Sequence, residues 1–253
     1  MKSRKPKLLV LDIETSPALG YFWRMHDENI SLDQMITPSR ILSVGWKWRG
    51  EDRFHYRDVW PHGSVAASKA MLKDIHTALN EADGVITFNG SRFDLPKLTG
   101  EFLVAGMDPC PPVASIDVYK TTKKMGFTSN KLAHVAPLLG CGNKLDTGGF
   151  KLWREYMQGD KNARKIMKLY NWQDVEVLEK VYNRIRPYIT DHVYMGVSAE
   201  PKRGTAEILT TECPTCESLD GQHRGRRRTK AFWIDRIQCL GCGRWYDGKR
   251  SKA

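Results

Sequence analysis

Four acidic residues of this chain stand in settings that suit a divalent cation. Asp12 and Glu14 close an apolar run, LLVLDIET. Asp94 follows a second apolar run in ITFNGSRFDLPKL, and Asp174 lies in LYNWQDVEVLEKV with Tyr170 four residues before it. Mg²⁺ and Mn²⁺ are hard cations that take oxygen ligands. Two such ions roughly 3.5–4 Å apart can hold both the attacking water and the leaving oxygen of a phosphodiester. Asp12 and Glu14, two apart, share one face of a strand, and Tyr170 and Asp174, four apart, share one face of a helix. The spacing therefore predicts carboxylates from three elements meeting at one point, with a phenol placed to orient a water. Taken singly, each piece has a plainer reading. D-x-E is often a solvated strand end, N-x-x-x-F-D a turn with Asn capping a helix, and Y-x-x-x-D occurs on any helix. It is their joint occurrence, in this order, that points to a metal site.

The elements that must position these residues are legible from periodicity. Residues 7–13 read as a strand buried on both faces, because the run is continuously apolar. The stretch 16–39 has no periodicity and reads as an insertion or long loop containing Tyr21, Phe22 and Trp23. ILSVGWKW (41–48) and DRFHYRDVW (52–60) read as two strands joined at Arg49-Gly50. An amphipathic helix is expected over 65–82, with Ala67, Met71, Ile75 and Leu79 on its apolar face. A strand at 85–88, a helix at about 95–105, a strand around 113–119 and a helix over 129–140 with a Ser/Asn start and a Gly stop follow. A long helix from about 162 to 186 ends at Pro187.

A second chemistry is written near the C-terminus. Cys213-Pro-Thr-Cys216 and Cys239-Leu-Gly-Cys242 form two C-x-x-C knuckles 22 residues apart. That spacing suits one structural Zn²⁺ held by four thiolates, with KAFWIDRIQ (230–238) supplying a strand between the knuckles. Disulfides or a redox pair are the alternative, disfavoured in a chain that reads as intracellular. Cys110 and Cys141 have no such spacing and read as inert thiols, and the seven histidines fall into no ligand pattern.

LDIET, NGSRFDLP and YNWQD resemble the three exonuclease motifs of the DEDD superfamily of 3′–5′ exonucleases, which has an RNase H-like fold. The histidine branch of that superfamily places His five residues before the last Asp, where this chain has Leu169; the tyrosine branch places Tyr where Tyr170 stands. The likeness covers about residues 7–187 and is greatest to the proofreading domains of family B polymerases and their stand-alone, phage-type relatives. It implies an α/β fold: an RNase H-like mixed five-stranded sheet flanked by helices, here followed by a small four-cysteine zinc ribbon. It further implies two Mg²⁺ or Mn²⁺ ions per site, Asp12 bridging both, with Glu14, Asp94 and Asp174 completing the shell and Tyr170 positioning the water. Asn89 and Phe93 flank the Asp94 motif, and either contact the terminal nucleotide or fix the loop. Lys144, Asp146 and Trp153 fall where relatives hold the substrate strand, but the sequence assigns them no role.

The expected organisation is an exonuclease domain over 1–188, a linker over 189–206 and a basic ribbon over 207–253. Residues 201–253 carry 12 Lys and Arg against six Asp and Glu, a net of +6 of the chain's +11. Arg224, Arg226, Arg227, Arg228 and Lys230, followed by Phe232 and Trp233, pair phosphate binders with stacking surfaces. The ribbon is expected to grip nucleic acid, with docking on a replication or repair protein as the alternative. No apolar run approaches the ~18–20 residues of a membrane span, and the N-terminus is too acidic after its short apolar part for a signal peptide. A cytoplasmic location follows, or the host cytoplasm if the chain is phage-encoded. The expected partner is a single-stranded 3′ end, DNA favoured over RNA. With no polymerase or helicase module in the sequence, a proofreading role would act in trans. The alternatives are a structure-specific endonuclease on the same fold and a non-catalytic nucleic-acid-binding or scaffold protein.

Overall fold

The computed structural model of the chain describes residues 6–26, 29–189, 212–228 and 232–252. These divide into two compact units, Lys7–Tyr182 and the segment from Asn183 onward with Met1–Pro6. The linker expected over 189–206 lies, Ile189 apart, outside the described residues.

The larger unit is built on its first strand, β1 (Leu8–Thr15), whose apolar run places Leu8 to Leu11 fully inside. β4 (Ile41–Trp48) pairs with it antiparallel, and β5 (Phe54–Asp58) pairs with β4 in the same sense. On the other side β6 (Gly84–Thr87) and β7 (Ala114–Asp117) add in parallel, giving a mixed sheet in the order β5-β4-β1-β6-β7. This is the five-stranded RNase H-like sheet expected from the sequence. The 16–39 insertion contains two short strands, β2 (Leu19–Gly20) and β3 (Met35–Thr37), paired with each other. Strands of two and three residues are too short to leave a period in the sequence.

Alternation along β1 divides its side chains between two layers. Leu9, Leu11 and Ile13 join a core with Val44 and Trp46 of β4. Met71, Ile75 and Leu79 of α1 (Val65–Glu81) and Leu98 and Phe102 of α2 (Asp94–Val104) complete that layer. The Ser64 hydroxyl caps α1 by accepting from Ala67 N at 3.2 Å, a reason the helix begins where it does. On the other layer, Val10 pairs in register with Lys47, Asp12 with Gly45 and Glu14 with Ser43.

α6 (Lys161–Ile185) meets that second layer. Its start is marked by Asp160, whose carboxylate accepts from Ala163 N at 2.7 Å, and a 3-10 turn through Pro187 follows its end. Asn171, Asp174, Val175, Leu178 and Tyr182 form its buried stripe at helical spacing. Lys47, almost wholly buried, reaches Glu176 Oε1 at 2.5 Å and Glu179 Oε2 at 2.9 Å on the helix. Removing one partner of such a buried pair typically costs about 3–5 kcal/mol. That anchors the turn of α6 that carries Asp174.

Three short helices complete the unit: α3 (Val118–Thr122), α4 (Leu132–Leu138) and α5 (Phe150–Met157). α4 departs from its expected start. Ser129 and Asn130 precede it and Lys131 occupies the cap with no side-chain bond, because the Ser129 hydroxyl accepts from Lys131 N before the helix begins. The Gly140 stop stands, at φ 68°. α5 has no counterpart in the sequence reading: two turns with two buried residues, Leu152 and Tyr156, give too short a pattern to stand out.

The described part of the C-terminal unit contains a three-stranded antiparallel sheet of β8 (Gly221–Arg228), β9 (Phe232–Cys239) and β10 (Trp245–Lys252), ordered β10-β9-β8. Among the described residues no helix is long and apolar enough to cross a membrane.

Candidate metal centres

β1 is longer than its parallel neighbour. Its last pair with β6 is Val10 with Ile86, so the strand runs on to Thr15 without that partner. Asp94 takes part of the vacated edge, its Oδ1 accepting from Ile13 N at 3.2 Å. Asp94 reaches this place because β6 ends at Thr87 and the chain turns through Asn89, which sits at φ 65°. Asp117, at the end of β7, holds that turn. Its carboxylate accepts from Asn89 N at 2.8 Å, Ser91 N at 3.2 Å, Ser91 Oγ at 2.6 Å and Tyr119 N at 3.1 Å. Asp117 thereby fixes the backbone of Asn89 within the loop. Phe93 leaves 46% of its surface exposed immediately before Asp94.

Asp12, Glu14 and Asp174 each offer a carboxylate oxygen within 4.8 Å of the others. Asp94 stands outside that tight group, with Oδ1 spent on the strand amide, yet its charge still acts on Asp12 and Glu14. Burial, then Glu14, Asp174 and Asp94, raise the Asp12 carboxyl well above its ordinary range. Burial and the Asp174 charge push Glu14 up to about 8, and burial pushes Asp94 up to about 7. Asp174 is raised by burial too, with Lys144 opposing. Four carboxylates crowded this way, those of Asp94 and Asp174 buried and those of Asp12 and Glu14 half-buried, resist ionisation together, and a cation among them reverses the balance.

Lys144, which the sequence could not place, supplies one positive charge. Its Nζ lies 2.7 Å from Asp174 Oδ2 and donates to Tyr170 Oη at 3.1 Å. Tyr170 is raised by burial and by the Asp174 charge, so it remains a neutral phenol with a proton to donate. The Trp153 ring of α5 stands edge-on to Tyr170 at 5.9 Å, and Trp153 acts to lower Glu14 against the rise from burial. Asp174 Oδ1 is buried and has no hydrogen-bond partner among the described residues. A single ammonium does not balance this many carboxylates, and the unpartnered oxygen fits a divalent cation. The donor set is all oxygen, as Mg²⁺ or Mn²⁺ requires.

In the C-terminal unit, ligand sulfurs of Cys213, Cys216, Cys239 and Cys242 all lie within 4.8 Å of one another. Cys213 and Cys242 sulfurs are 3.6 Å apart and those of Cys216 and Cys239 3.4 Å, and all four thiols are free. A disulfide would need about 2.05 Å. Tetrahedral bonds of about 2.3 Å to Zn²⁺ put sulfurs about 3.8 Å apart, so the cluster fits that ion. The two knuckles close alike: Glu217 N donates to Cys213 O and Gly243 N to Cys239 O, each at 2.9 Å. Burial opposes ionisation of Cys239, but the Cys242 and Gly241 amides and neighbouring thiols bring it down to about 7.

The basic cluster is less uniform than its sequence. Arg224 donates from Nε to Gln238 Oε1 at 3.1 Å, while Arg226 Nε pairs with Asp235 at 2.8 Å. Arg227 and Arg228 stand in β8 opposite Ile234 and Trp233, and Lys230 lies outside the described residues. Phe232, Trp233 and Trp245 are exposed.

Comparison with known proteins bears on the larger unit. A family model described as RNase_H superfamily matches residues 36–186, more than half of the chain. A search of curated proteins finds no match.

Proposed function

Since the chain belongs to the RNase H superfamily, whose fold points to metal-dependent cleavage of nucleic acid, we propose that it is a 3′–5′ exonuclease of the DEDD tyrosine branch, acting on single-stranded 3′ ends with DNA preferred. The observation that carries this reading is the convergence of Asp12, Glu14 and Asp174 beside the neutral Tyr170 phenol. The direction and the DNA preference rest on the likeness of the three motifs.

Asp12, Glu14 and Asp174 would hold the divalent cations, with Asp94 closing the site from the Ile13 edge. Bound there, two Mg²⁺ or Mn²⁺ ions supply Lewis-acid polarisation of the phosphate and a more acidic water. The chain's own residues do the rest. Tyr170 keeps its proton and, steadied by Lys144 and the Trp153 edge, offers its hydroxyl to orient a water. Phe93 presents an exposed ring face to the terminal base, where stacking tolerates any sequence. The ribbon, with Arg224 and its exposed aromatics, adds a second grip on nucleic acid.

The test is digestion of 5′-labelled single- and double-stranded DNA and RNA with Mg²⁺ or Mn²⁺. A ladder of products shortening from a free 3′ end, with a circular single strand left intact, is expected. Cleavage of the circle would make the chain an endonuclease, and binding without cleavage would make it a scaffold.

Tyr170→Phe keeps the ring packed against Trp153 and removes only the hydroxyl. A positioned group of this kind contributes roughly 10²–10⁴-fold, so single-turnover cleavage should slow within that range without being abolished. A rate equal to wild type would mean that another group holds the water.

A further inference from the structure

Asn171 follows Tyr170 on α6 and is wholly buried, yet neither the motifs nor the fold assigns it a task. Its Nδ2 donates to Asp12 Oδ2 at 2.8 Å and lies 3.4 Å from the Asp12 backbone oxygen. Against an ionised Asp12 carboxylate the reverse orientation of the amide would set two acceptors against each other. Its other end, Oδ1, is buried without a hydrogen-bond partner among the described residues. A leucine would fill the same volume with no stranded acceptor, so packing alone does not account for an amide here.

Space for the amide comes from the opposite strand. Gly45 of β4 is the register partner of Asp12. A Cβ at Gly45 would stand 2.5 Å from Asn171 Oδ1, 2.9 Å from its Cγ and 2.9 Å from Phe54 Cζ. Glycine inside a strand weakens it and marks close approach by another group. Here the group that approaches is the Asn171 side chain.

We propose that Asn171, seated in the gap left by Gly45, is a positioning residue for Asp12: it holds one carboxylate oxygen so that the other is presented to the metal site. The proposal rests on the metal-site reading above. A neutral donor suits the task. Lys or Arg would add a charge that competes with the cation, and Asp would add another carboxylate. Residues that orient metal ligands typically tune affinity by 10–100-fold when changed.

The experiment is calorimetric titration of Mn²⁺ into the full, zinc-loaded chain, comparing wild type, Asn171→Ala, Asn171→Leu and Gly45→Ala, with thermal melts in metal-free buffer. Both Asn171 variants should bind Mn²⁺ about 10–100-fold more weakly while keeping the wild-type circular dichroism spectrum. Gly45→Ala should weaken binding in the same direction, because it displaces the amide without touching a carboxylate. A purely structural amide would instead lower the melting temperature and leave Mn²⁺ affinity unchanged in folded protein, which would overturn the proposal alone. Collapse of the fold in Asn171→Ala, the variant that leaves space and not a clash, would overturn it too. Failure of the wild-type chain to bind Mn²⁺ would remove the metal-site reading and this proposal together.

Discussion

Asp12→Asn should lower phosphodiester cleavage by at least about 10³-fold and should not destabilise the metal-free protein at neutral pH. The catalytic loss follows from the position of Asp12 within the carboxylate group. A bound metal contributes several kcal/mol of transition-state stabilisation, and each 1.36 kcal/mol is worth about tenfold in rate. The stability effect follows from the sign of the shift. The Asp12 carboxyl is raised in the folded chain by burial and by Glu14, Asp174 and Asp94. The folded state therefore binds that proton more tightly than the unfolded one, and the associated stability is lost as pH rises through the folded value. Asp12→Asn removes a charge the folded state bears badly, so any gain in melting temperature should be largest at neutral to alkaline pH. It should vanish below about pH 4, near the ordinary aspartate value. Mn²⁺ should then stabilise the wild-type chain more than the variant. Nucleic-acid binding measured in Ca²⁺ should persist. Wild-type turnover in Asp12→Asn would remove the metal site from the mechanism.

Stripping the metal from the cysteine cluster should unfold the C-terminal sheet while the Lys7–Tyr182 unit stays folded. Among the described residues of 212–252, one large aliphatic side chain, Ile234, is buried, besides Cys213, Cys239 and Thr215. Full burial of one such side chain contributes about 1.5–3 kcal/mol, whereas structural Zn²⁺ contributes an apparent ~10–16 kcal/mol in small domains. A metal held by the four thiolates would therefore decide whether this sheet folds. A chelator selective for soft metals, or Cys213→Ser, should abolish slow amide exchange in β8, β9 and β10. Cleavage of a saturating short oligonucleotide, with Mg²⁺ present, should survive. Affinity for long single strands should fall, and the slope of log affinity against log salt should flatten by about 0.7 for each phosphate that the sheet no longer neutralises. Sheet amides as well protected without metal as with it would sink this account. Unchanged long-strand affinity would instead make the ribbon a protein-docking module.

Much of this architecture is legible because its signals are local. ILSVGWKW reads as a strand over 41–48 and β4 occupies those residues, since a run buried on both layers needs no distant information. The helix expected over 65–82 is α1, Val65–Glu81, because four apolar residues recur on one face above a Ser64 cap. The β2–β3 pair and α5 leave no such mark for the converse reason: two- and three-residue strands and a two-turn helix are shorter than the pattern that would reveal them.

The sequence by itself determined the main strand and helix segments, the order of the acidic motifs and the four-cysteine spacing, because strand period, helix period and knuckle spacing are written within a few residues of each other; the mixed sheet was only what the resemblance implied. Only the tertiary structure decided what surrounds the carboxylates. It spent Asp94 Oδ1 on the Ile13 amide, 81 residues away, and set the Asn171 amide against Asp12 across 159 residues. It also brought Lys144 to Tyr170 and Asp174, and Trp153 to Glu14. These pairings arise where β1 outruns β6 and where Lys47 locks α6 onto the sheet. Such packing joins residues that share no local pattern, so no reading of neighbouring residues could have paired them.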